Sequence, residues 1–172
     1  MTNKLIYFVG NWKMFGSLSS ISIINKINHF LISFKKVKRI KIIFCVPNTL
    51  IYFFTQKNKS KFISIGAQNC HHNENPGPFT GSINTSMLKN VGAKYVILGH
   101  SENRREGEND KVINKKIYSA SKKKINVILC IGETLLEKKK KKTFEILKKQ
   151  ISVSLRQKTD FSNIMIAYEP IW

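Results

Sequence analysis

The sequence has 172 residues, 42% of them apolar, which suits one ordinary domain or part of a larger one with a sizeable core. Its cysteines, Cys45, Cys70 and Cys130, are odd in number and far apart, so neither a disulfide framework nor a zinc module is indicated, and a reducing compartment is favoured. The formal charge of +20 admits a nucleic-acid or membrane binder, but lysine is spread over loops and helix faces alike while arginines are few (Arg39, Arg104, Arg105 and Arg156). Solvent-facing lysine in a biased composition explains that pattern better than a dedicated phosphate site, which would use arginine.

The opening MTNKLIYFVG holds an apolar run too short for a signal peptide, and no stretch approaches the ~20 apolar residues of a membrane span. The expectation is a cytoplasmic protein without membrane attachment. Leu5–Val9 reads as a strand buried on both faces. Ser17 then caps a helix whose face is Leu18, Ile21, Ile24, Ile27, Phe30, Leu31 and Phe34. Ile40–Val46 and Phe62–Ile65 are the next strands, followed by a long loop from Gly66 to Gly81 rich in glycine and proline. Tyr95–Leu98 is a fourth strand. Val112, Ile113, Ile117 and Ala120 mark a second helix, and Val127–Ile131 a fifth strand. Lys138 to Lys142 reads as a solvated face or loop. Phe144, Leu147, Ile151 and Leu155 mark a third helix before the last strand, Ile164–Ala167.

Strand and helix alternating in this way imply parallel strands joined by right-handed crossovers. An open doubly wound sheet and a (β/α)₈ barrel both fit. The polar residues decide. Asn11, Lys13, Gln68, His100, Glu102, Gly132, Glu133 and Glu169 all follow strand carboxyl ends, which a barrel gathers into one ring. A doubly wound sheet would use one switch point and a glycine-rich phosphate loop, and no GxGxxG or Walker sequence is present. Cys70-His71-His72 suggests a metal, but three adjacent residues converge poorly on one ion, so no metal is expected. Cys130 reads as a packed thiol.

Four blocks carry more than this. They are Gly10-Asn11-Trp12-Lys13, Tyr95-Val96-Ile97-Leu98-Gly99-His100-Ser101-Glu102, Cys130-Ile131-Gly132-Glu133 and Ala167-Tyr168-Glu169-Pro170-Ile171-Trp172. In this order and spacing they resemble the triosephosphate isomerase family. The resemblance implies a single domain over residues 1–172, an incomplete (β/α)₈ barrel with about six of its eight units. It implies interconversion of dihydroxyacetone phosphate and glyceraldehyde 3-phosphate, in glycolysis and gluconeogenesis, without cofactor. Glu169 would be the base that moves the proton and His100 the electrophile, and this family is itself the standard example of a glutamate paired with a neutral histidine. Asn11 and Lys13 would bind substrate. Ser101 and Glu102 would be supporting residues, Glu102 beside Lys13 and Ser101 at the resting position of Glu169. Thr80, in Phe79-Thr80-Gly81, would reach a second subunit of a homodimer. Pro170, Ile171 and Trp172 would form the first hinge of a mobile lid.

Ser82 and Asn103 stand where the family has a glutamate and an arginine that form an ion pair; replacing both avoids a stranded charge. The stretch after Arg105 is a residue short. Family members also continue for roughly another third of their length. The sequence is therefore read first as part of a complete enzyme and inactive by itself. The rival reading is a basic, non-catalytic remnant that binds nucleic acid or a partner.

Overall fold

The computed structural model describes residues 5–34, 37–156 and 161–172. The amino-terminal residues 1–4, part of the segment read for a leader, lie outside them. All six expected strands are present: β1 (Ile6–Asn11), β2 (Ile40–Cys45), β3 (Ile63–Ala67), β4 (Tyr95–Leu98), β5 (Asn126–Ile131) and β6 (Ile164–Tyr168). Seven α-helices occur among the described residues: α1 (Ile21–Ser33), α2 (Asn48–Lys57), α3 (Thr85–Asn90), α4 (Ser101–Arg105), α5 (Asp110–Lys122), α6 (Leu135–Lys139) and α7 (Thr143–Ser154). They group into two compact units, one of residues 1–68 and 88–95, the other of residues 69–87 and 96–172.

In the first unit β1 pairs parallel with β2, in register from Ile6 with Ile40 to Asn11 with Cys45, and β2 pairs parallel with β3. The core lies between β2, β3 and the helices. Ile43, Ile51 and Phe54 are fully enclosed there, and Trp12 meets Phe54 edge-on at 5.5 Å. Ser17 opens a short 3-10 turn, Leu18–Ser20, its amide donating to Ser20 Oγ at 3.1 Å, and α1 continues from that turn. Only Ile24 and Leu31 of the expected α1 face are buried. Ile23 and Phe30 lie roughly 100° round the helix from that line and remain exposed, and Phe30 stacks on Phe34, which is exposed just past the helix end. The seven-residue face is thus divided into a buried line and an open side.

The second unit holds β5 and β6 in parallel register, Val127 with Ile164 through Ile131 with Tyr168. Asn109 caps α5 by accepting from the amides of Lys111 and Val112, and Ile113, Ile117 and Ala120 are buried as expected. The lysine run is partly helical, because Thr134 and Glu137 form a reciprocal capping box that starts α6. In α7 the expected anchor Phe144 is 80% exposed. The loop after β3 is closed across its base by His71 N donating to Ile83 O at 2.7 Å. Thr80 and Ser82 are exposed on it.

The outer strands depart from the expectation that every strand is buried on both faces. Ile6, Phe8 and Val9 of β1 and Ile166 and Tyr168 of β6 are each 43–55% exposed, whereas β4 and β5 are buried almost throughout. The apolar run makes the strand; what covers it depends on neighbours that the run itself does not encode.

Candidate active site

In the first unit, Asn11 ends β1 and its Oδ1 accepts the amide of Lys13 at 3.0 Å. That turn places Lys13 at φ 51°, a left-handed conformation that costs a non-glycine residue about 1–3 kcal/mol. Gln68, just past β3, holds it there: its Nε2 donates to Lys13 O at 2.8 Å and to Cys45 O at 3.1 Å. Trp12 N also donates to Cys45 O, so the end of β2 fixes the whole turn. Gly16 follows because a Cβ there would press on the Trp12 indole at 2.8 Å. The result is an exposed lysine on a braced turn.

In the second unit, Gly99 turns the chain from β4 into α4 at φ 71°, where a Cβ would meet Cys130 O at 3.0 Å. Arg104 secures that turn. Its Nε donates to Gly99 O at 2.7 Å, one terminal nitrogen donates to Cys130 O, and the other pairs with Asp110 at 2.6 Å. His100 is the residue before α4 and is 5% exposed. Its Nδ1 accepts the backbone N–H of Glu102 at 3.2 Å, which places the ring proton on Nε2. Nε2 lies 3.1 Å from Glu169 Oε1. The Glu102 carboxylate stands 3.5 Å from Nδ1 on the other side, but the backbone donor already occupies that lone pair. Ser101 shares one small cleft with Gly99, Cys130, Gly132, Glu169 and Ile171.

Glu169 is held by its backbone. Its N–H donates to Ile131 O at 2.8 Å, and its carbonyl lies so close to Gly132 that a Cβ there would overlap it. Gly132 is gripped by Gln150 of α7, which accepts from its N–H and donates to its carbonyl, both at 2.9 Å. Glu169 Oε2 is shielded and has no partner among the described residues. Glu133 is fully buried and ties down the rest of the segment. Its carboxylate accepts the Tyr168 hydroxyl at 3.0 Å on both oxygens, the Trp172 indole N–H at 3.3 Å and the Thr143 hydroxyl at 3.2 Å. Burial pushes the Glu133 carboxyl up, but hydrogen bonds from its own backbone, Tyr168, Trp172 and Thr143 outweigh it and hold the group below its ordinary value.

The sequence marked Gln68 only as a polar residue past a strand end, Gly132 and Glu133 as part of a family motif without a role, and Arg104 and Gln150 not at all as site residues. Nothing in their type distinguishes them; their roles are contacts made across elements.

Cys130 is beside this cluster. Burial, with the charge of Glu169 adding to it, pushes its thiol up to about 12. Cys130 is therefore a poor nucleophile. Thiol labelling of the folded chain near pH 8 should leave it unmodified until denaturant is added; fast labelling of Cys130 in the native state would contradict its burial.

A buried imidazole that offers Nε2–H, beside a carboxylate with one unpartnered oxygen, can polarise a carbonyl and accept a proton from the neighbouring carbon. The triosephosphate isomerase family model matches residues 6–172. The chain belongs to the triosephosphate isomerase family. It is 39% identical over 169 residues to the triosephosphate isomerase of Saccharomyces cerevisiae, covering 96% of this chain and 66% of that protein. It is 40% identical over 178 residues to that of Mycoplasma mobile, covering 100% and 71%. The crystal structure of triosephosphate isomerase from Bartonella henselae superposes with a TM-score of 0.86 at 36% identity, over 96% of this chain and 68% of that one. The chain thus spans about two thirds of the length of these relatives, and carries six strands of the family's eight-stranded barrel.

Proposed function

We propose that this chain is the part of a triosephosphate isomerase that supplies its base and electrophile, interconverting dihydroxyacetone phosphate and glyceraldehyde 3-phosphate through an enediolate. The observation that carries this reading is the His100–Glu169 pair, in which Nε2–H of a buried imidazole faces the carboxylate at 3.1 Å. Substrate entering between them takes the Nε2–H on its carbonyl oxygen and presents the adjacent carbon to Glu169. Glu169 removes the proton there and returns it to the next carbon, while His100 stabilises the charge that develops on oxygen and, through Nε2, gives a proton to the carbonyl oxygen and takes one from the neighbouring hydroxyl. Lys13, on its braced turn, neutralises substrate phosphate, and Asn11 fixes the turn. Ser101 and Glu102 are supporting residues, Ser101 at the resting position of Glu169.

The whole protein is proposed to be a cytoplasmic homodimer in which Thr80 meets the second subunit. No described helix is long and apolar enough to cross a membrane. Residues 1–172 by themselves are proposed not to turn over. The open apolar residues of β1 and β6 call for further strands to cover them, and the relatives carry another third of length. Activity assays therefore use a chain extended to that length, beside residues 1–172.

Lys13 and His100 separate by kinetics. Lys13→Ala should weaken an anionic substrate analogue as well as slowing turnover. His100→Gln should leave analogue affinity nearly unchanged and lower kcat, because its hydrogen bond strengthens mainly as charge develops. Equal losses of analogue affinity in both variants would remove the distinction and with it the role given to His100.

A further inference from the structure

We propose that Lys138 is a positioning residue for the Tyr168–Trp172 segment, holding the Trp172 indole from above while Glu133 holds its edge, and so setting where Glu169 rests; this builds on the base role proposed for Glu169. The Lys138 ammonium lies 3.3 Å from the centroid of the Trp172 ring. A cation over an indole face is attracted by the ring's negative face, and tryptophan is the strongest partner for it. The neighbouring groups leave the ammonium to this contact. Glu137, the adjacent carboxylate, is committed to the capping box, accepting Thr134 N at 2.7 Å and Thr134 Oγ1 at 2.9 Å. On the other side, Lys139 to Lys142 are all exposed and of like charge.

The box also starts the helix that carries Lys138. Thr134 follows Glu133 directly, and Lys138 N donates to Thr134 O at 3.0 Å, so Lys138 sits in the last turn of a short helix started beside the buried carboxylate. The Trp172 edge is held by its N–H bond to Glu133 and one ring face is met by the Lys138 ammonium, while the ring as a whole remains 51% exposed. The same segment is tied to Glu133 through the Tyr168 hydroxyl and through Ile171 N donating to Glu133 O at 3.1 Å. Glu169 lies between those ties. Loosening Trp172 therefore releases the carboxyl side of Glu169 and weakens its contact with His100.

The test reads position rather than turnover, so it stands whether or not the isomerase reading does. The length-extended chain is labelled with fluorotryptophan and followed by fluorine NMR, with Trp172→Phe and Trp12→Phe assigning those two lines. The His100 ring nitrogens are followed in parallel as a report on the Glu169 contact. Lys138→Met keeps the stem and removes the charge, Lys138→Arg keeps the charge, and Lys140→Met controls for net charge. The expected result is that Lys138→Met shifts the Trp172 line towards that of the free amino acid and weakens the His100–Glu169 signature, each by about two- to fivefold in population. Lys138→Arg should restore both, while Lys140→Met and the Trp12 line should not move. A Trp172 line that responds equally to Lys138→Met and Lys140→Met would overturn the contact. A Trp172 line that moves while the His100 nitrogens do not would overturn the positioning of Glu169.

Discussion

Replacing Glu169 with aspartate in the length-extended chain is expected to lower kcat by ~10²–10⁴-fold and to leave KM nearly unchanged. The side chain shortens by one methylene, so its carboxylate withdraws from the substrate carbon. The backbone that carries it stays in place, because the bond from Glu169 N to Ile131 O and the close contact at Gly132 do not involve the side chain. Phosphate binding, assigned to residues of the first unit, is untouched. Steady-state kinetics on matched preparations check this; a variant that keeps wild-type kcat would remove Glu169 from the chemistry.

Glu133→Gln is expected to have the largest effect on stability among the site residues. The glutamine keeps the volume but loses the charge that receives Tyr168, Trp172 and Thr143, and loss of hydrogen bonds to a buried charged acceptor costs about 1.5–3 kcal/mol. The pH dependence has a definite sign. Glu133 is held below its ordinary value of 4.5 in the folded state, so its contribution is fully present above that value. It is lost as pH falls through the lower folded value. Denaturant unfolding should therefore show the largest difference between wild type and Glu133→Gln near neutral pH, and a shrinking difference as the solution becomes more acid. An equal difference at all pH values would mean that the carboxylate charge is not what the segment depends on.

The strands were legible because each is a compact run of Ile, Val, Phe and Tyr bounded by turn residues, and all six lie within two residues of where the sequence puts them. The helices were less so. In α2, the run Leu50-Ile51-Tyr52-Phe53-Phe54 is aliphatic and aromatic without a polar break, and its helical period is visible only once Leu50, Ile51 and Phe54 are seen buried together. In α1 and α7, apolar Phe30, Phe34 and Phe144 fit the period but face outward. A pattern reports which residues are apolar and not which side a neighbour occupies. The proximity of His100 and Glu169 followed from the motifs, and their geometry gives it physical content. The residues that hold them could not be read in advance. Arg104 binds two carbonyls 31 positions apart, and Gln150 grips Gly132 from another helix, through ordinary side chains at unremarkable places in the sequence.

Hydrogen exchange at the reacting carbon tests the central claim most directly. Dihydroxyacetone phosphate is incubated with the length-extended chain in deuterium oxide and followed by proton NMR. The account predicts enzyme-dependent replacement of a hydrogen on the carbon beside the carbonyl, together with formation of the aldehyde, and loss of both in Glu169→Gln. Absence of exchange in the wild-type chain, or exchange that persists undiminished without the Glu169 carboxylate, would contradict it.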